Sequence, residues 1–337
     1  MASKKPGPLM TMAVAAVRFY EQLVEGGVLV DEFTSRSTYV VASDEEELAV
    51  LERHAEQLAA AGVPIRFLKG SALNQCIGAA APSALAAVEV QNEGHAIGYR
   101  VVERLRRLGG FDIRRNVKVG GIQSLGGRVA GVITDRGIER VDAVLLAAGL
   151  GSVEFLATPG LIRPRKGQLI VTDRAGRDMP RFPGPLMSCR YLVSKGSQPA
   201  GNMAPGRSLG LVIDPLATGQ FLIGGSREDS AETESTDADV VARLLGDAVA
   251  LSPSLAQLRV IRVFAGTRAA TRDGLPIVGR VGGADNVWIA TGFEGDGICL
   301  GPLMGRVCQQ LICCQAPQVD ISALDASRFG LTLAAAA

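Results

Sequence analysis

Between residues 266 and 279 the chain reads Gly266-Thr-Arg-Ala-Ala-Thr-Arg-Asp-Gly-Leu-Pro-Ile-Val-Gly279. A guanidinium such as that of Arg268 holds a carboxylate through two parallel hydrogen bonds, or else makes an ordinary surface ion pair. Further on stands Thr291-Gly-Phe-Glu-Gly-Asp-Gly-Ile-Cys-Leu-Gly-Pro302. Gly292, Gly295 and Gly297 fall between an apolar run, Val287–Ala290, and a helical pattern in Leu303, Val307 and Leu311. A helix start near Pro302 suits a first-turn proline. Such a strand, glycine turn and helix leave backbone N–H groups and a positive helix end facing a crevice, which stabilises negative charge. The same pattern also serves as a plain turn between packed elements. Phe293, Glu294, Asp296 and Ile298 complete the turn, and its two acids either orient an amine or stay solvated.

Few other residues suggest chemistry. His54 lies in a charged helical stretch and His95 in a Glu-Gly-His turn, and both read as structural. Tyr99 and Tyr191 are candidates for a substrate hydrogen bond, with packing the plainer role. No Ser-His-Asp or Cys-His arrangement stands out. The cysteines at 76, 189, 299, 308, 313 and 314 lack metal-ligand spacing. They read as free thiols of a reducing cytoplasm. With 35 basic and 34 acidic residues among 337, and no basic block, nucleic acid is not an expected partner. The apolar runs are far shorter than the ~20 residues of a membrane span. The polar leader before Leu9–Val17 loosely mimics a signal peptide but reads as the approach to an amphipathic helix.

The elements that must position these residues can be read in outline. Helices are expected over 11–26, from a Ser43 cap with Glu46 to about Ala61, over Tyr99–Leu108, Ser235–Leu251 and Leu303–Cys313. Strands are expected at Ser37–Ala42, Phe111–Ile113, Val117–Ile122, Arg128–Thr134 and Gly137–Arg140. Gly167–Thr172, Leu186–Ser194, Leu209–Ile213 and Gln220–Gly224 read as antiparallel strands, with an exposed loop over Gln198–Arg207. Residues 63–95 read as irregular, with short strands near Val88–Val90. Val141-Asp-Ala-Val-Leu-Leu-Ala-Ala-Gly149 is a continuous apolar run, expected of a central parallel strand buried on both faces. The order implies a mixed α/β (α+β) chain of two interleaved domains. One would cover 95–155 and 270–320, the other 20–95 and 156–265, with tails at 1–10 and 321–337.

Taken in order, Gly266-x-Arg268, Arg272-Asp-Gly-Leu-Pro-Ile-Val-Gly279, the Val287–Ala290 strand and the Phe293-Glu-Gly-Asp-Gly-Ile298 turn resemble the C-terminal flavin-binding segment of the FAD-dependent D-amino-acid oxidase and glycine oxidase family. The resemblance extends more loosely over most of residues 11–330. It implies an incomplete Rossmann-like FAD-binding domain interleaved with an antiparallel-sheet substrate domain. By resemblance Arg268 grips a substrate carboxylate beside the flavin. Val119 meets the adenine through its backbone, Ala148 and Gly149 pass near the cofactor, and the turn from Gly292 to Ile298 meets the flavin's N1–C2=O edge. The implied activity is oxidation of a small amino or imino acid at its CH–NH bond, with hydride passing to flavin N5. Ala269 stands where the family usually has proline, and Phe293 and Gly295 where relatives often carry polar side chains. The family's opening Gly-x-Gly-x-x-Gly strand–helix unit has no counterpart in the sequence. The resemblance then leaves a sheet edge to be covered and three alternatives: a true start upstream of Met1, a missing unit supplied by another chain (a partner subunit or a further copy), or a non-catalytic structural remnant. The turn also resembles that of subunits of multi-component amino-acid dehydrogenases.

Overall fold

The computed structural model describes residues 1–194 and 207–334, so most of the expected 198–207 loop lies outside the described residues. Along the chain the helices are α1 (Pro8–Glu25), α2 (Glu45–Ala60), α3 (Gly70–Leu73), α4 (Gly98–Gly109), α5 (Arg190–Ser194), α6 (Ala238–Leu251) and α7 (Gly297–Ile312). The strands are β1 (Phe33–Ala42), β2 (Ile65–Leu68), β3 (Ala86–Ala96), β4 (Val119–Leu125), β5 (Arg128–Thr134), β6 (Gly137–Arg140), β7 (Val144–Leu146), β8 (Ile162–Thr172), β9 (Leu186–Ser188), β10 (Arg207–Pro215), β11 (Phe221–Glu228), β12 (Val260–Thr271), β13 (Ile277–Arg280) and β14 (Val287–Thr291). No helix among the described residues is long and apolar enough to cross a membrane.

The chain divides into two compact units. The first comprises Met1–Val14, Thr34–His95 and Arg165–Thr267, and the second Ala15–Phe33, Ala96–Pro164 and Arg268–Ala337. Residues 20–33, read from the sequence with the 20–95 stretch, fall in the second unit.

An eight-stranded, mostly antiparallel sheet in the order β12-β8-β11-β10-β9-β1-β3-β2 organises the first unit. Alternate residues of β1 point to opposite faces. Tyr39 and Val41 join Ile213, Ile223, Val240, Leu244 and Ala248 in one core, so α6 covers that face. Val40 and Ala42 join Val88, Leu51, Ala55 and Leu58 in a second core under α2. Leu51, Ala55 and Leu58 recur at helical spacing, which is why this charged segment settles as a helix.

Several local expectations are corrected here. The cap of α2 is Asp44, whose carboxylate accepts from Glu47 N–H at 2.8 Å, while Glu47 reaches back to Ser43 N–H at 2.9 Å. The cap is thus one residue later than read, because Asp and Ser both suit that role. The stretch 63–95 is not irregular: it holds β2, α3, a π-helical turn over Asn74–Gly78 and the long strand β3. The expected strand Leu186–Ser194 ends at Ser188 and gives way to α5.

In the second unit a three-stranded sheet runs in the order β13-β14-β7, with β14 and β7 parallel. The meander β4-β5-β6 forms a separate sheet. Buried Asn286 fastens the meander to the β14 side. Its amide donates to the carbonyls of Val129 (2.8 Å) and Asp142 (2.7 Å), and its carbonyl accepts from Val129 N–H (2.7 Å). Two expectations fail in this unit. Phe111–Ile113 forms no strand, because no described strand lies alongside to share its hydrogen bonds. The apolar run 141–149 yields only the three residues of β7, at the sheet's edge, with Leu145 38% exposed.

Candidate functional site

The site builds outward from the ends of two strands. Because β7 and β14 are parallel, Ala148-Gly149 and Gly292 leave the sheet at the same end. In open α/β sheets, the crevice beyond the carboxyl ends of parallel strands is where ligands bind. Thr291 Oγ1 donates to the Gly149 carbonyl at 2.9 Å and locks the two strand ends together. Gly292 has φ +74°, and a Cβ there would stand 2.3 Å from Thr271 Cγ2, so only glycine fits. Phe293 forms an isolated antiparallel bridge with Ala270, which brings the end of β12 against the turn. Glu294 through Asp296 form one tight helical turn, with Glu294 at φ +45° and Asp296 N–H donating to the Phe293 carbonyl at 2.8 Å. Gly295 is exposed, and Glu294 and Asp296 are half-buried.

Helix α7 starts at Gly297 rather than near Pro302, which lies inside it. The Tyr20 hydroxyl donates to the Ile298 carbonyl, at 2.7 Å. That carbonyl would otherwise look to the amide four residues on, which proline lacks. The first amides of α7 have no partners within the helix.

The structure brings together Ala148, Gly149 and the turn from Gly292 to Ile298. Arg268 is half-buried on β12, two positions before Ala270 and so on the same side of the strand. Val119 lies in another sheet, at the start of β4, where it pairs with Thr134 and is 37% exposed. The Arg272-Asp-Gly-Leu-Pro segment is pinned structurally. Arg272 donates to the carbonyls of Pro159 and Gly160, while Arg328 donates to Asp273 and to the carbonyls of Leu275 and Pro276. Burial pushes the Asp273 carboxyl up, but Arg328 and the Leu275 N–H outweigh it and hold it below the ordinary value.

The remaining candidates lie in other surroundings. His54 is buried, with Nε2 2.7 Å from the Ala2 carbonyl. His95 belongs to a cluster in the first unit, with Nδ1 2.8 Å from an Arg36 guanidinium nitrogen and 3.4 Å from Asp214. No local signal in the sequence joins these three. The Tyr191 ring lies over Gly210, and its hydroxyl accepts from Arg227 at 2.8 Å, whereas Tyr99 is 77% exposed. Cys189 and Cys308 are buried thiols, pushed up to about 12 and about 11 by burial first. The sequence reading missed Tyr20, Thr271, Thr291 and Arg328. A proline four residues after a carbonyl signals a missing donor, but nothing nearby in the chain names Tyr20 as its replacement.

The chain is thus a mixed α/β protein with a large, mostly antiparallel sheet and a smaller sheet whose parallel strand ends meet a glycine turn and a helix N-terminus. The chain belongs to the FAD dependent oxidoreductase family, whose model matches residues 2–311. It is 31% identical over 219 residues to the glycine oxidase of Pseudomonas aeruginosa, covering 64% of this chain and 54% of that protein. It is 25% identical over 320 residues to the hydrogen cyanide synthase subunit HcnC of the same organism, covering 92% and 71%. The chain spans about half the length of the first curated relatives it matches. Among solved structures, glycine oxidase from Bacillus cereus superposes with a TM-score of 0.79 at 20% identity, covering 95% of this chain and 86% of that one. L-proline dehydrogenase from P. horikoshii gives 0.81 at 19% identity, covering 98% and 85%. These likenesses establish a shared fold.

Proposed function

We propose that the chain is an FAD-dependent oxidoreductase that oxidises a small amino or imino acid at its CH–NH bond. The observation that carries this reading is the convergence of Gly149, the turn 292–298 and the Ala270–Phe293 bridge at the carboxyl ends of β7 and β14. The residues present fit a flavin there. Glycine at 292 lets the backbone come close, and the amides at the start of α7 favour the negative charge of a reduced flavin's N1–C2=O edge. Ala148 and Gly149 would flank the cofactor, and Val119 would meet the adenine. Bound FAD supplies a hydride acceptor. The chain's own contribution is positioning: Arg268 holds the substrate carboxylate by a two-pronged contact, and Phe293 shields the turn. In this reading 95–155 and 270–320 are the flavin domain, and 20–95 and 156–265 the substrate domain. The match to glycine oxidases supports glycine or another small amino acid as substrate.

A second reading is favoured by β7. Its sequence is that of a strand buried on both sides, yet Leu145, Ala147 and Ala148 are exposed and its outer edge has no described partner. On this reading, the chain acts as a subunit whose flavin site needs a further strand–helix unit, from a partner chain or from sequence outside residues 1–337. The visible spectrum of the purified chain with added FAD separates the two. Flavin bands that survive gel filtration and bleach anaerobically with glycine, D-alanine, sarcosine or L-proline support the first. A chain that stays colourless rejects the first as a self-sufficient enzyme and leaves the second.

A further inference from the structure

Three elements of the second unit converge on one residue at the start of α7. The Tyr20 ring, on α1, is 3% exposed and stacks on Phe33 with centroids 4.8 Å apart. Its hydroxyl donates to the Ile298 carbonyl. From α4, Gly98 faces the Ile298 side chain so closely that a Cβ would stand 3.2 Å from its Cδ1. Within a helix, the carbonyl of residue 298 expects the amide of residue 302. Position 302 is proline, with no N–H to give. Burial first, then the neighbouring Cys299, push the Tyr20 phenol up to about 12, so its proton stays in place as a donor at neutral pH.

We propose that Tyr20 is the positioning residue of the first turn of α7: its hydroxyl replaces the amide that Pro302 lacks, and so fixes the direction of the Gly297, Ile298 and Cys299 amides. With alanine at 302, the helix could hold this turn by itself. Here a side chain from a distant helix holds it, so the turn's direction depends on where α1 lies. The consequence for ligand binding rests on the flavin reading above, because those amides are the ones assigned to the flavin edge.

A double-mutant cycle between Tyr20→Phe and Pro302→Ala in the full chain tests this. Phenylalanine keeps the stack on Phe33 and removes only the donor. Losing one hydrogen bond in Tyr20→Phe should speed exchange of the Gly301, Leu303 and Met304 amides about tenfold. It should also shift the NMR resonances of the Gly297–Cys299 amides. In the Pro302→Ala background the new amide takes over the Ile298 carbonyl, and Tyr20→Phe should change exchange by less than about twofold. Equal effects in both backgrounds, or none in either, would overturn the proposal. In parallel, FAD titrations should show a dissociation constant about tenfold weaker for Tyr20→Phe, rescued in the double variant. Coupled exchange with unchanged FAD affinity would reduce Tyr20 to a structural tie and defeat the positioning role for ligand. If no variant binds FAD, the self-sufficient flavin reading fails, while the exchange cycle and amide shifts still decide the role of Tyr20.

Discussion

The two units treat their sheets differently. In the first, β1 is covered on one face by α6 and on the other by α2, and its last five residues, Thr38–Ala42, are all buried. In the second, β7 carries an equally apolar sequence but sits at an edge with Leu145 exposed. An apolar run therefore reports the cover a strand is suited to, and the topology reports the cover it has. The difference also separates two kinds of stability. The first unit rests on apolar burial on both faces of its sheet, whereas the second has an apolar core around Ile277, Val287 and Ile289 to which Asn286 adds a polar tie.

The comparison breaks most directly through paired truncations. Leu244→Ala, in the α6 core, should cost about 3 kcal/mol in urea unfolding, while Leu145→Ala on β7 should cost less than about 1 kcal/mol. Equal costs would mean that β7 is covered after all. Next, Asn286→Ala leaves the Val129 N–H and carbonyl and the Asp142 carbonyl without their partner. A loss of about 2–3 kcal/mol is expected, with faster amide exchange in β4–β6 and no change in β10 or β11.

Acid should act on the first unit through its buried Lys166. The Lys166 ammonium lies 3.0 Å from Glu232 and 3.4 Å from Asp237, which also accepts from Gln168 at 2.7 Å. Hydrogen bonds from Ser235 first, and then from Lys166, hold Glu232 down at about 2, and Asp237 is also lowered. A carboxyl depressed in the folded state contributes stability that is present above its unfolded value and lost as pH falls through its folded value. The contribution should therefore fade between the ordinary 4.5 of Glu232 and about 2. Lys166→Met should partly flatten that part of the stability–pH curve, the share left over being held by Ser235, Gln168 and Arg207, as read by thermal melts from pH 5 to about 2. The smallest effect is expected at the open edge. Leu145→Lys should leave folding within about 0.5 kcal/mol and reduce self-association by light scattering, since a charge discourages strand pairing.

Much of this was legible in the chain. The hairpin strands Arg128–Thr134 and Gly137–Arg140 end where their turn residues end them, and α4 stops at its glycines as read. The glycine turn was legible from its local spacing, whereas Ala148 and Gly149 were pointed to by the family resemblance alone. What stayed hidden depends on distant partners. Phe111–Ile113 has the composition of a strand, but strands exist only in pairs. The start of α7 was misplaced because proline is a first-turn signal unless a remote donor satisfies the carbonyl it strands. The Arg36–His95–Asp214 cluster is assembled from β1, β3 and β10, and no periodicity links them.

Asn286 has one more consequence, for how freely the sequence can drift. All three of its side-chain hydrogen bonds go to main-chain atoms of residues 129 and 142. It thus grips the meander without reading a single side chain there. The strands β4–β6 can exchange their residues widely and stay attached, whereas position 286 needs a group with both a donor and an acceptor. Aspartate, with the same shape and no N–H, would lose the two carbonyls. Variation in this part of the molecule should therefore be broad along the β4–β6 meander and narrow at one amide.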